Sequence, residues 1–218
     1  MKEKNKPYVA VDTVVFTIIG GKLSVLLIQI ETGIYKDKWA VPGGLVGADE
    51  SLDDSATRVL SEKANLKNVF LEQLYTFGDP NRDERGRSIS VAYFSLIPDH
   101  KKFEIVKKDY YKDIKWFSIS TLPDMAFDHK KIISVGHERL KNKLSYTNVA
   151  YSLLPKEFTL TQLQRVYETI LERKLDKRNF RKKIESLDII NDTNKIQSDV
   201  SHRPAKLYSF KNKGIKVF

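Results

Sequence analysis

Glu50, Arg58, Glu62 and Lys63 stand close together in the stretch GGLVGADESLDDSATRVLSEKANL, Gly43 to Leu66. On a helix, carboxylates at i, i+3 and i+4 share one face, where they can hold divalent cations that bridge a pyrophosphate and activate water. The residues at those positions are Val59, Glu62 and Lys63. One carboxylate remains, and an ammonium stands where that chemistry needs an anion. Glu62 together with Glu50 can still hold one ion weakly, so Mg2+ is allowed but no cofactor is required. Lys63 can instead neutralise a pyrophosphate, keeping affinity while losing turnover. Gly43 and Gly44, which open this stretch, read either as a turn that needs positive φ or as a close approach to a ligand. Downstream, TFGDPNRDERGRSISVAY carries Arg82, Arg85 and Arg87, alternating with Asp79, Asp83 and Glu84. Guanidinium forks suit phosphate and ribose oxygens, although the same composition also makes a polar loop with internal salt bridges.

The elements that would position these groups are mixed. Tyr8 to Ile30 predicts two strands around the hairpin signal Gly20-Gly21-Lys22. Ser51 to Ala64 predicts a helix, with Ser51 and Asp54 as its capping pair and Leu52, Ala56, Val59 and Leu60 sharing a face. Strands are expected at Val69–Phe77, Ser88–Ile97 and Ile114–Phe117, and a second helix over Lys130 to Lys143. Without regular βαβ alternation the class is α+β. The pattern then changes. Thr159 and Gln162 form a capping box ahead of Leu160, Leu163, Val166, Tyr167, Ile170 and Leu171 at helical spacing. Asp176 caps a further helix, apolar at Phe180, Ile184 and Leu187 and basic at Lys177, Arg178, Arg181, Lys182 and Lys183. KIQSDVSHRPAKLYSFK reads as a β-hairpin with a basic tip around Arg203 and Pro204. Helix, basic helix and basic hairpin is the order of a winged helix-turn-helix. Its expected boundary falls ahead of Pro155, giving domains 1–148 and 149–218. Lys177, Arg178, Asn179, Arg181, Lys182, Arg203 and Lys206 are its candidate DNA contacts, with Asn179 placed to meet a base edge.

WAVPGG, followed by Glu50, Arg58 and Glu62, resembles the Nudix family. Its box runs Gly, five residues, Glu, seven residues, then Arg-Glu-aliphatic-any-Glu-Glu-any-Gly-aliphatic. Gly44, Glu50, Arg58, Leu60, Glu62 and Leu66 match; Val59, Lys63 and Asn65 depart from it. Pro80, LPDMAFDHKKII and LDKRNFRKKI extend the resemblance to the NrtR-type transcriptional regulators, which join a Nudix-related sensor to a winged helix. The resemblance implies a Nudix-like α/β/α sandwich with a mixed sheet, followed by the winged helix. It implies a homodimer that binds double-stranded operator DNA and releases it when an effector (ADP-ribose, NAD or a sugar) fills the sensor pocket. Gly43, Gly44, Arg58, Lys63, Arg82, Arg85 and Arg87 are then the effector-site candidates, Glu50 and Glu62 the metal candidates, and no catalytic residue is assigned. A working ADP-ribose pyrophosphatase is the alternative, supported by Glu50 and Glu62 and opposed by Val59 and Lys63.

Bulk properties agree with this reading. The chain has 218 residues and a net charge of +10. The last 68 residues hold 15 Lys and Arg against 8 Asp and Glu; the first 150 hold 23 against 20. The basicity suited to a polyanion is thus concentrated at the C-terminal end. The chain has no cysteine, which excludes disulfides, thiolate zinc sites and cysteine nucleophiles. The basic, then apolar N-terminus is interrupted by Asp12, and no apolar run is long enough to span a membrane. A soluble, cytoplasmic protein is expected. An RNA-binding reading lacks an aromatic stacking platform in the basic tail. His100, His129, His137 and His202 show no metal-ligand spacing, and His129 reads as a pocket residue or a satisfied structural histidine.

Overall fold

Alternate residues of the first strand pack on opposite faces of a sheet, and each face meets a different helix. A computed structural model describes residues 6–98, 100, 111–198, 204–212 and 214–218. It divides into two units, one of residues up to Thr17 with Ser24–His137, the other of Ile18–Leu23 with Glu138–Phe218.

The first unit is built on strands β1 (Tyr8–Ile19), β2 (Lys22–Gln29), β3 (Trp39–Ala40), β4 (Gly43–Leu45), β5 (Phe70–Phe77), β6 (Ser88–Leu96) and β7 (Asp113–Ser118). They form one sheet in the order β3-β2-β1-β6-β5, with β4 on β1 and β7 on β2. The β1–β6 pairing is parallel and the β5–β6 pairing antiparallel, so the sheet is mixed. Helix α1 (Leu52–Ala64) starts at Ser51, whose hydroxyl accepts from the Asp54 amide, and ends at Asn65 in the left-handed region. Its Leu60 and Ala64 pack with Val15 and Leu26 of the sheet. On the other face, Phe16 meets Gly136 of α2 (His129–Tyr146) so closely that a Cβ there would stand 3.2 Å from its ring. Val15 to α1 and Phe16 to α2 is the period of two that a strand buried on both faces shows.

The second unit contains the end of α2, a 3-10 helix Val149–Leu153, α3 (Leu160–Leu171), α4 (Lys177–Ser186) and the hairpin β8 (Ile190–Ile196) and β9 (Lys206–Phe210). The capping box of α3 forms in both directions. Thr159 Oγ1 accepts from the Gln162 amide at 3.1 Å, and the Thr159 amide donates to Gln162 Oε1 at 2.7 Å. Asp176 caps α4 through the Asn179 amide. Phe158, Leu163, Ile170 and Ile184 are fully buried. The first strand of the hairpin begins at Ile190, earlier than the Lys195 start read from sequence, because Ile189 and Ile190 turn inward directly after α4. Arg203 lies outside the described residues. Among the described residues no helix is long and apolar enough to cross a membrane.

Candidate functional site

In the first unit, a cavity of about 560 Å³ opens between β1, β4, the end of α1 and the loop that carries the arginines. Ligand pockets commonly range from about 300 to 1,000 Å³. Gly43 and Gly44 lie in β4, opposite Asp12 and Val11, and neither takes positive φ. Their need for glycine is therefore closeness rather than turn geometry. A Cβ on Gly43 would stand 1.9 Å from Asp12 Oδ1.

Asp12 anchors the floor. Ser90 Oγ donates to its Oδ2 at 2.6 Å, Arg82 Nη2 donates at 3.3 Å, and His129 Nε2 faces the same oxygen at 3.4 Å. Burial alone would raise this carboxyl. His129, Ser90 and Arg82 outweigh burial and hold it at about 2. The Val41 amide donates to His129 Nδ1 at 3.1 Å, which leaves Nε2 to carry the proton toward Asp12. His129 is thus a wall residue and a satisfied one, since these two features coincide. Asp12, Ser90, Asp128 and His129 are separated along the chain by up to 117 residues, and no sequence pattern joins them.

The three arginines part company. Arg82 is buried, with all three guanidinium nitrogens occupied: Asp128 takes Nε and Nη2 at 3.2 and 2.7 Å, and Ser88 takes Nη1 at 3.1 Å. Arg85 is largely exposed at the cavity mouth. It grips Asp83 through two bonds, 2.9 and 2.8 Å, and lies 4.8 Å over the Phe127 ring. Tyr35, packed on Phe127 at 4.2 Å, accepts from the Glu84 amide and so fixes the loop. Arg87 donates to the carbonyls of Gly78, Asp79 and Ser88 and is not in the cavity wall. Tyr35 and Phe127 were not singled out by sequence, because single aromatics outside any periodic pattern give no signal.

On α1, Val59 is fully buried with Val11, Ala56, Val91 and Tyr93, so it belongs to the core. Lys63 reaches the cavity wall, where burial lowers its pKa although Asp12 and Glu62 oppose that shift. Arg58 spans both candidate metal ligands: Nη2 and Nε bind Glu50 at 2.6 and 2.9 Å, and Nη1 binds Glu62 at 3.1 Å. The Arg58 hydrogen bond, then the Gly47 amide, lower the Glu50 pKa to about 2. Arg58 also donates to the Leu45 carbonyl, tying α1 to β4. With Val59 in the core and Lys63 beside Glu62, these donors do not fit a site for two or three divalent ions. Among the described residues no three His, Asp or Glu side chains gather as metal ligands.

In the second unit, Lys177, Arg178, Asn179, Arg181 and Lys182 are all exposed on α4, while Phe180 and Ile184 are buried. The helix turns a basic face outward because its apolar positions recur every four residues on the other side. Lys206, at the start of β9, pairs with Asp192 at 2.8 Å.

The Nudix domain model matches residues 9–135, and the model of the NrtR DNA-binding winged helix domain matches residues 150–210. The ADPR-responsive transcriptional repressor NtrR of Acinetobacter baylyi is 36% identical over 94% of this chain and 82% of its own length. The crystal structure of Shewanella oneidensis NrtR with a 27mer DNA aligns over 93% of each chain, with a TM-score of 0.81 at 34% identity. The NUDIX domain of that protein with ADP ribose aligns over 63% of this chain and 90% of its own, with a TM-score of 0.56 at 33% identity.

Proposed function

We propose that this chain, which belongs to the Nudix family and carries the NrtR winged helix, is an ADP-ribose-responsive transcriptional repressor. It holds operator DNA through the exposed face of α4 and answers to effector bound in the Nudix cavity. The observation that carries the reading is the identity of the side chain α1 sends into that cavity, an ammonium rather than a carboxylate. Lys63 and Arg85 offer positive charge to a pyrophosphate, while Asp12, held as an anion by His129, Ser90 and Arg82, is placed to accept from ribose hydroxyls. Arg82 serves as the pivot of the floor, and Arg58 holds β4 against α1, so both support the site from behind. Domain limits of 1–148 and 149–218, a homodimer and a cytoplasmic location complete the proposal.

The mechanism follows as coupled binding. DNA and effector compete through the protein's conformational equilibrium, so each weakens the other by the same factor. A gel shift with DNA from upstream of the chain's own coding region tests this. The expected result is a discrete complex that ADP-ribose dissociates; a complex indifferent to saturating ADP-ribose overturns the effector assignment.

A further inference from the structure

The second unit contains a separate cavity of about 330 Å³, between the end of α2 and the α3–α4 junction. We propose that it is a second small-molecule site, selective for an organic monoanion with an apolar body, such as an aromatic carboxylate. Leu144, Leu171, Leu175 and the rings of Tyr167 and Phe180 form its walls. The two rings pack edge to face at 5.2 Å and together present an apolar wall. Tyr167 is 5% exposed, and its hydroxyl has no hydrogen-bond partner among the described residues. Burial pushes this phenol up to about 12, so at neutral pH it stays an O–H donor. The hydroxyl belongs to a cavity-lining residue and is open to a ligand oxygen, which it can meet as a donor.

The rim sets the charge of the ligand. Lys141 is already paired with Glu172 at 2.8 Å. Arg173 and Lys183 have no carboxylate partner among the described residues, and Asp176 supplies one negative charge. Two cations against one anion leave a single positive charge to be met. A carboxylate meets it, with one oxygen accepting from Tyr167 and the other turned to Arg173 or Lys183. This charge balance matches a monoanion better than a polyphosphate, and the leucine and ring walls suit an apolar body better than a sugar.

The test uses the full-length protein and 2-naphthoate as probe, followed by calorimetry, with the neutral 2-naphthalenemethanol as control. One naphthoate should bind per chain, and the alcohol should bind roughly tenfold more weakly for loss of one charge-assisted bond. Tyr167→Phe, which keeps the ring, and Lys183→Gln should each weaken naphthoate by roughly fivefold or more. Ser145→Trp, at the exposed rim, should block the slot without entering the core. Lys63→Gln, in the other cavity, should leave naphthoate binding unchanged. No naphthoate binding at millimolar concentration, equal binding of acid and alcohol, or binding insensitive to Ser145→Trp overturns the proposal. Loss of naphthoate binding in the Lys63→Gln variant would place the probe in the Nudix cavity and overturn it equally. None of these outcomes depends on ADP-ribose or DNA, so the repressor reading stands or falls separately.

Discussion

Asp12 concentrates the energetics of the sensor floor, because it is buried and yet ionised. Its folded pKa of about 2 lies below the ordinary 3.8, so the stability it contributes is present above pH 4 and lost as pH falls towards 2. The difference corresponds to about 2 kcal/mol. Urea melts at stepped pH should show this loss, and Asp12→Asn should flatten that segment of the profile. Gly43→Ala should disturb the same carboxylate from outside, since the new methyl meets an anchored oxygen and not a free chain end. We expect it to cost about 2 kcal/mol or more in chemical denaturation. The arginines should separate in the same measurement. Arg82→Ala strands the buried Asp12 carboxylate and the half-buried Asp128 carboxylate and should cost about 3–5 kcal/mol. Arg85→Ala, at an exposed site, should change stability by no more than about 0.5 kcal/mol while weakening ADP-ribose in calorimetry. Equal stability of the two variants would remove Arg82 from its pivot role.

At the scale of elements, helix starts and buried stripes were legible because each is a local event. Ser51, Thr159 and Asp176 cap as read, and Asn65 fills the left-handed end of α1 where the Nudix box has glycine, a conformation asparagine tolerates. Strands β3 and β4 were not legible, being too short to alternate, and the glycines of β4 read as a turn or a close approach to a ligand, whereas the structure shows Gly43 in close approach to Asp12. The floor itself joins Asp12, the Arg82–Ser90 stretch and Asp128–His129, three distant parts of the chain that no spacing connects. The α1 face carries a further consequence. Since Val59 sits in the core, Val59→Glu would bury an unpaired carboxylate and should destabilise the fold by about 2–4 kcal/mol, so rebuilding the Nudix box there is not expected to give an active hydrolase. Turnover of ADP-ribose by the Val59→Glu, Lys63→Glu double variant at about 1 per second or faster, in a protein that still melts near the parent, would contradict this. On α4, Arg178→Ala and Arg181→Ala should each weaken operator binding. A base-contacting arginine should cost roughly 1–3 kcal/mol on the operator alone, and a phosphate-contacting one should weaken all sequences and lower the salt slope by about one.

For the whole molecule, the proposed repression is a linkage between two ligands on one chain, and linkage fixes what each must do to the other. If saturating ADP-ribose weakens the operator by some factor, operator DNA must weaken ADP-ribose by that same factor. Couplings of this kind are typically about 1–3 kcal/mol, or roughly 5- to 150-fold. The proposed homodimer adds a geometric condition. Two copies of α4 related by a two-fold axis should need two half-sites about 10 base pairs apart, or a multiple of that. Inserting about 5 base pairs between them puts the half-sites on opposite faces of the duplex and should reduce binding to that of a single half-site. The two conditions can be examined together by titrating ADP-ribose into free protein, into protein with intact operator, and into protein with the insertion. Weakened binding is expected in the second titration alone, because only there are both winged helices held by DNA. If ADP-ribose binds the operator complex as tightly as the free protein, the cavity and the helix are uncoupled. The chain would then be a DNA-binding protein whose Nudix domain does not regulate it.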